Sequence, residues 1–413
     1  MQVIIYIYLK VSKLLIIMKI LFVIYHGLGF GGAEVSTKYL AEGLKKRGHE
    51  IIFVSNGHYE GFKNYILKSY TFLPFSLQRR YVRKIVKRVI KEENPDIVHA
   101  HDRLTSVGAV QAARSLKVPV VVHFRDYWFA CPRSSCMAPD GVFYEQCTPG
   151  IVFKHYPAKR WLLELYKLFS LRKARRAVNQ ADVKFCNGLT IQRRLKECGI
   201  HDAEVLPILR DMSMFSLATE KGAVKREYCL KPRVVSFVGG LTLSKGIMFL
   251  AEVFSEIAQE HRDWCLCMVG GGPLKESLQW FIRERGLEEQ ILVLGKVPLA
   301  KMPLLYADTD IVVFPSLWEE PLSGVLLEAG ASGKPVIASD RGESKEILVH
   351  GETGLIVAVE KEAWKKAIQM LMEKEALRKK MGAAARKRIT QDYSLEHVSG
   401  IVEKKYQELL RGH

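Results

Sequence analysis

Acidic residues are scarce in the first half of this 413-residue chain, and the shortage sets its two halves apart. Residues 1–200 contain 33 basic and 14 acidic residues, whereas residues 201–413 contain 29 basic and 30 acidic residues. The formal net charge of +18 therefore arises in the first half. Such an uneven balance predicts two halves with different partners. With 48% hydrophobic residues the chain can bury a sizeable core, which excludes a disordered or collagen-like protein.

Cysteine is also infrequent, with eight residues in the whole chain. A protein of this length does not need disulfide bonds to stabilise a core, so the cysteine content favours a reducing cytoplasm. Cys131, Cys136 and Cys147 follow one another in a single predicted loop. Because the chain has no C-x2-C pair, a zinc or iron–sulfur site there is disfavoured, and the role of these three residues stays open.

A long uninterrupted apolar run is missing as well. Residues 3–25 are largely apolar, but three lysines interrupt them, and each would cost about 3 kcal/mol near the centre of a bilayer. No small-residue cleavage site follows, which argues against a signal peptide. Met18 begins an apolar segment that is typical of a first buried strand. Residues 1–17 are therefore interpreted as an upstream mis-start or a short interfacial anchor, with the mis-start favoured.

Nucleic-acid-binding signatures are absent too, since there is no helix-turn-helix, zinc-finger or ribonucleoprotein motif. The two most basic stretches, 79–91 and 154–177, each combine apolar positions at helical spacing with many lysines and arginines. Each could be an ordinary solvated amphipathic helix. The alternative is attraction to anionic lipid, worth about 1 kcal/mol per basic residue near the surface. Because the whole first half is basic, we expect a peripheral protein at the cytoplasmic face of the plasma membrane.

Short apolar runs alternate with helical stretches along the chain, which is typical of parallel sheet built from βαβ units. Each half contains enough of these runs for one complete doubly wound α/β domain. Residues 207–232 lack a clear periodicity and are predicted to be a linker. The sequence thus predicts domains at 18–206 and 233–390, followed by a final helix in 391–413.

The first predicted strand runs into a glycine-rich turn at residues 26–34, which formally contains G-x-G-x-x-G. The dinucleotide fingerprint also needs an acid at the end of the second strand, where Ser55 and Asn56 stand, so NAD is disfavoured. The turn can still bring Gly31, Gly32 and a helix N-terminus close to a phosphate. A tight strand–helix turn without a ligand is the alternative.

Polar side chains follow several predicted strands of the first half, at the edge where open α/β sheets bind ligands. His26 follows the first strand, His101 ends a later one, and His123, Arg125 and Asp126 end the next. Any one of them could be an ordinary core or surface residue. Together they favour an acceptor-binding crevice for a hydroxylated compound, with Asp126 also a candidate catalytic residue.

The second half contains two more glycine turns that follow predicted strands. Gly239 and Gly240 are followed by Lys245 and a helix, a combination that suits a diphosphate. Further on, Glu320 and Glu328 are separated by seven residues. If a helix begins after Ser323, its free amides, including that of Gly324, face an anion between the two carboxylates. Carboxylates for hydroxyl groups and amides for a diphosphate fit a sugar nucleotide.

These motifs resemble those of family 4 glycosyltransferases. The segment from Glu320 to Glu328 is similar to the E-x7-E signature of that family, and the glycine turns at 31–34, 239–246 and 271–273 match its other motifs in order. The resemblance covers about residues 18–411. It implies a GT-B architecture: two Rossmann-like domains facing a central cleft, with the last helix crossing back to the first domain.

The resemblance also implies retention of anomeric configuration, with no cofactor and no required metal. Glu320 would contact the donor sugar and Glu328 the ribose. The diphosphate would be held by Lys245 and the amides near Ser323 and Gly324. Gly31, Gly32 and Gly240 would also belong to the donor side, and Glu320, Lys245 and Asp126 are the catalytic candidates.

Two positions depart from the family pattern. The family usually has an arginine where Gly240 stands, which leaves Arg210 and Arg341 as candidates to replace the missing cation. It often has a histidine immediately before the aspartate at 126, where this chain has Arg125.

The sequence therefore predicts a hexosyltransferase that uses a UDP- or GDP-sugar and a lipid-linked or saccharide acceptor in surface polysaccharide or glycolipid synthesis. A nucleotide-sugar epimerase and a non-catalytic sugar-nucleotide or membrane-binding protein remain as alternatives.

Overall fold

The strands form two parallel sheets in the computed structural model, which describes residues 17–28, 32–71, 73–216, 220–321 and 323–412. One sheet has seven strands and the other has six. In both, the strand order reverses beside the first strand, which is the arrangement of a doubly wound α/β domain. The predicted fold class is confirmed.

The strands of the seven-stranded sheet are β1 Lys19–Val23, β2 Glu50–Ser55, β3 Lys63–Ile66, β4 Ile97–Ala100, β5 Val120–Phe124, β6 Val183–Cys186 and β7 Ala203–Val205. Those of the six-stranded sheet are β8 Arg233–Val238, β9 Trp264–Val269, β10 Ile291–Gly295, β11 Ile311–Phe314, β12 Val336–Ser339 and β13 Gly354–Val357. The seven-stranded sheet has the order β3-β2-β1-β4-β5-β6-β7, and the six-stranded sheet has the order β10-β9-β8-β11-β12-β13.

The described α-helices are Gly32–Lys46, Phe75–Glu93, Arg103–Ser115, Pro149–His155, Trp161–Val178, Leu189–Glu197, Ser213–Ser216, Ala223–Glu227, Ile247–Ala258, Lys275–Glu284, Met302–Asp308, Gly324–Ala331, Ser344–Ile347, Lys361–Glu373, Glu375–Asp392 and Leu395–Arg411. None of them has both the length and the apolar composition needed to cross a bilayer.

The chain divides into two compact units. One consists of the residues up to His123 together with Arg176–Lys184 and Ser399–His413, and the other consists of Phe124–Arg175 and Phe185–Val398. In its described residues, the predicted linker at 207–232 includes the short helices Ser213–Ser216 and Ala223–Glu227. The predicted domain boundaries remain predictions, and residues 1–16 lie outside the described residues.

From Ser399 onward, the last helix belongs to the unit that contains the start of the chain. Glu403 accepts a hydrogen bond from Arg47, and its Oε1 lies 3.0 Å from Nε2 of His49. Nδ1 of His99 lies 2.5 Å from the hydroxyl of Tyr406. These buried polar contacts pin the helix to strand β4 and to the residues before β2.

Candidate functional site

The two glycine turns of the second unit pack against each other. The amide of Leu241 donates to the carbonyl of Gly271 over 3.0 Å. Gly270 has a φ of +146°, and a Cβ there would lie 1.8 Å from the carbonyl oxygen of Gly239. Only glycine fits at this crossing. By contrast, a Cβ at Gly240 would meet its nearest neighbour, Thr242, at 3.7 Å, so packing does not exclude a larger residue from that position.

The turn that carries Lys245 is locked against the loop that follows β11. Gly246 has a φ of +69°, and a Cβ on it would lie 2.0 Å from the carbonyl oxygen of Pro315. The amide of Leu317 donates to the carbonyl of Ser244 over 2.8 Å. This close contact fixes the direction in which the Lys245 side chain leaves the backbone.

Glu320 is the centre of a hydrogen-bonded group. Its Oε2 accepts from Nζ of Lys245 at 2.7 Å, from Nε1 of Trp318 at 2.7 Å and from the hydroxyl of Ser316 at 3.4 Å. The residue is 8% exposed. A carboxylate with three donors on one oxygen is held in a single orientation.

The second glutamate of the motif, Glu328, lies in the helix Gly324–Ala331, whose N-cap is Ser323. The predicted helix start is thus confirmed. Oε2 of Glu328 accepts from the hydroxyl of Tyr306 at 3.2 Å, and Oε1 lies 3.8 Å from Nε of Arg210. Burial raises the pKa of Glu328, and the positive charge of Arg210 opposes that shift.

Arg210 also reaches the start of this helix. A Cβ on Gly324 would lie 2.3 Å from Nη2 of Arg210, so the guanidinium rests against the first turn. Arg210 thus lies beside the free amides of the first turn, and Glu320 and Glu328 stand before and after this turn in the sequence. Such a group of side chains and amides is suited to an anion that carries hydroxyl groups. Of the two candidate arginines, Arg210 lies beside this helix, whereas Arg341 pairs with Asp340 at 3.6 Å. The replacement of the missing cation by either of them remains a prediction.

The predicted residues of the first unit are distributed differently. Gly32 begins the helix Gly32–Lys46, and Gly31 lies outside the described residues. His101 and His123 are only 1% and 2% exposed, with ring centroids 6.1 Å apart. They form part of a buried histidine group with His99, whose ring centroid lies 4.1 Å from that of His101. Their predicted contact with an acceptor remains a prediction.

Arg125 and Asp126 lie in the other unit, just after β5. Arg125 is 6% exposed. Oδ1 of Asp126 accepts from the amide of Trp128 at 2.7 Å, so this carboxylate shapes the local turn. Its predicted catalytic role likewise remains a prediction.

Two side chains of the site are not among the residues predicted from the sequence. Tyr306 and Trp318 each donate to one of the two motif glutamates. Trp318 stands only two residues before Glu320, so the sequence itself indicates that the two residues are close. Tyr306 comes from the helix Met302–Asp308, and only the fold brings it close to Glu328.

Two family models match the chain in succession. The model "Glycosyltransferase Family 4" matches residues 30–208, and "Glycosyl transferases group 1" matches residues 224–388. Together they span nearly all the elements described above.

Individual relatives agree with these matches. An uncharacterized glycosyltransferase of Methanocaldococcus jannaschii is 25% identical over 79% of this chain and 81% of its own length. A GDP-mannose-dependent alpha-(1-6)-phosphatidylinositol monomannoside mannosyltransferase of Mycolicibacterium smegmatis is 33% identical over 44% of this chain. The match spans 50% of that mannosyltransferase.

Solved structures share the fold. A glycosyltransferase from Rickettsia africae superposes with a TM-score of 0.75 at 20% identity, over 96% of this chain and 100% of that one. Anabaena HepE, solved with UDP and glucose, superposes with a TM-score of 0.72 at 19% identity, over 94% of this chain and 99% of that one.

Proposed function

Since this chain belongs to the family 4 glycosyltransferases, with the GT-B fold, we propose that it moves a hexosyl group from a UDP- or GDP-sugar to a lipid-linked or saccharide acceptor, with retention of configuration. The observation that carries the proposal is the ion pair between Lys245 and Glu320 beside the helix that bears Glu328. Two similar proteins, one a GDP-mannose-dependent mannosyltransferase and one solved with UDP and glucose, support both nucleotides.

In this proposal the acceptor hydroxyl oxygen forms a bond to the anomeric carbon of the donor. The bond between that carbon and the diphosphate oxygen breaks, and the hydroxyl proton leaves with the diphosphate. Because the breaking bond leaves its electron pair on the diphosphate oxygen, negative charge grows there until the proton reaches it. Preorganised cations stabilise such charge without reorganisation, and we assign this role to Lys245, Arg210 and the amides at Ser323 and Gly324. The reaction is proposed to need no cofactor and no metal.

The two glutamates have separate roles. We assign Glu320 to the hydroxyls of the donor sugar and Glu328 to the ribose. Glu320 is already oriented by three donors, and Glu328 is held between Tyr306 and Arg210. Because both carboxylates are preorganised, hydroxyl groups can bind them without a large loss of side-chain entropy.

We further propose that the acceptor lies at the cytoplasmic face of the plasma membrane, in surface polysaccharide or glycolipid synthesis. The helix Trp161–Val178 supports this placement. It exposes Leu162, Leu163 and Phe169 to 86%, 50% and 58%, and basic residues flank them in the sequence. An exposed apolar ridge between cations is suited to an anionic lipid surface.

Calorimetry with UDP and GDP tests the donor site. We expect one of the two to bind the wild type and to bind the Glu328→Ala variant more weakly by roughly 1–3 kcal/mol, as for a lost hydrogen bond to a charged group. Incubation with the matching sugar nucleotides in the absence of an acceptor then tests the alternative, since an epimerase would convert the donor alone. Failure of both nucleotides to bind would contradict the proposal.

A further inference from the structure

A pocket lies beside the donor site described above and shares Trp318 with it, the residue that donates to Glu320. Its volume is about 270 Å³, close to the lower end of small-molecule sites at about 300 Å³. Four aromatic residues line it: Tyr127, Phe143, Tyr144 and Trp318. All of them belong to the same compact unit. A small pocket walled by aromatic rings suits a single ring-shaped ligand with apolar faces.

The pocket also contains a buried cation with unused hydrogen-bonding capacity. Arg194 is 5% exposed and lines the pocket. Its Nη2 donates to Glu319, but among the described residues its Nε and Nη1 have no hydrogen-bond partner. Buried donors of a charged group are rarely left unsatisfied in proteins. The N–H groups on these two nitrogens therefore need an acceptor that the described residues do not supply.

Tyr127 presents a similar feature in the same pocket. The residue is 1% exposed, and its hydroxyl has no hydrogen-bond partner among the residues that the structure describes. Its ring centroid lies 6.2 Å from that of Trp318 at an interplanar angle of 77°. Trp318 in turn donates to Glu320, so the pocket adjoins the carboxylate assigned to the donor sugar.

From these contacts we propose that this pocket, hereafter the Arg194 pocket, binds the sugar ring of the acceptor. The ring packs on the aromatic walls, and its oxygens accept hydrogen bonds from Arg194 and Tyr127. Arg194 and Tyr127 are thus residues that determine acceptor specificity. The proposal rests on the proposed function, because only a transferase places an acceptor sugar beside the donor.

Saturation-transfer NMR tests the pocket with defined probes. Methyl glucoside, methyl galactoside and methyl glucuronide are presented to the protein with the nucleotide that calorimetry selects. We expect saturation of at least one pyranoside in the wild type and a loss of roughly tenfold in signal or affinity in Arg194→Met and Tyr127→Phe. Tyr127→Phe removes only the hydroxyl, so it keeps the test valid if Arg194→Met folds poorly. If the protein prefers the glucuronide, the group that Arg194 binds is a carboxylate. If the three pyranosides give equal signals, Arg194 binds hydroxyl groups.

Lys196→Met is the matched control, because Lys196 lies exposed on the same helix, outside the pocket. It should leave the pyranoside signals unchanged. Nucleotide binding separates the two proposals. If the nucleotide binds all variants but no pyranoside is saturated, or the signals survive in Arg194→Met and Tyr127→Phe, the Arg194 pocket is wrong and the donor site stands. If neither nucleotide binds the wild type, the proposed function fails and the acceptor assignment fails with it.

Discussion

Nζ of Lys245 lies 2.7 Å from Oε2 of Glu320, although the two residues are 75 positions apart in the chain. Their side chains are only 21% and 11% exposed. The pair is brought together by backbone contact between the two loops, in which Leu317 donates to Ser244. The cation and the carboxylate of the proposed donor site are therefore assembled before any substrate arrives.

Replacing Lys245 by methionine should lower turnover by about 10²–10³-fold, because one preorganised stabiliser of the leaving diphosphate is lost. Initial rates with the selected sugar nucleotide measure the effect. Lys379→Met is a suitable control, since Lys379 is 78% exposed and pairs with Glu375 on the surface, where such pairs contribute little. Retention of more than half of the activity by Lys245→Met would remove this lysine from the mechanism.

Gly246, directly after Lys245, requires glycine both because its φ is positive and because a Cβ there would strike Pro315. Gly286 has only the positive φ, so comparing the two positions separates the two effects. Gly246 and Gly286 both have positive φ values, +69° and +60°. A Cβ would strike Pro315 at Gly246 but meets nothing within 4 Å at Gly286. Gly286→Ala should therefore cost about 1–2 kcal/mol of unfolding free energy, and Gly246→Ala about 3 kcal/mol or more, with loss of nucleotide binding. Urea unfolding of both variants measures the difference, and equal costs would show that the contact with Pro315 is tolerated.

The fold and the charged motif were predictable because they depend on local pattern. Alternating apolar runs indicated parallel sheets, and the order of glycine turns before Glu320 and Glu328 indicated one site. The burial of His101 was not predictable from its place at a strand end. Phe22, from the neighbouring strand β1, covers it with ring centroids 4.7 Å apart, and only the strand order shows this. The place of Arg210 is not predictable for the same reason, since it depends on the path of the predicted linker.

Tyr306→Phe tests the positioning of Glu328. The change removes one hydroxyl that donates to Oε2 of Glu328 over 3.2 Å. We expect nucleotide affinity to fall about fivefold, as for the loss of roughly 1 kcal/mol from one hydrogen bond, while the fold is retained. Tyr166→Phe, at a 45% exposed tyrosine, is the control. Calorimetric affinities that do not differ between the two variants would show that Tyr306 does not orient the ribose-binding carboxylate.

Glu343 gives the protein a specific dependence of stability on pH. Burial, together with the neighbouring Glu346, raises the pKa of Glu343 to about 9 from an ordinary 4.5. A raised carboxyl pKa stabilises the folded state fully below pH 4.5, and this contribution is lost as the pH rises toward 9. Glu343→Gln cannot ionise, so its unfolding free energy should gain on the wild type by up to about 1.4 kcal/mol per pH unit between pH 5 and 9. Urea unfolding across this pH range measures the difference, with Glu352→Gln, at an exposed position, as the control. If the unfolding free energies of the wild type and Glu343→Gln change with pH in parallel, the raised pKa of Glu343 is contradicted.

Phe169 and Leu162 test the proposed membrane contact, because they are exposed on a helix whose neighbouring residues are strongly basic. Replacing both by glutamate removes apolar area and adds negative charge, so sedimentation with anionic phosphatidylglycerol vesicles should fall at least about tenfold. Trp280→Glu is the matched control, since Trp280 is 59% exposed on the helix Lys275–Glu284 of the less basic half. Wild-type binding should also weaken between 0.05 and about 0.5 M salt, as screening shortens the range of the attraction. The proposed membrane contact would be contradicted if the double variant and the control sedimented equally. It would also be contradicted if the wild type bound neutral phosphatidylcholine vesicles as well as anionic ones. In either case, the exposed apolar residues of this helix would have another role, and the basic half of the chain would have no lipid partner.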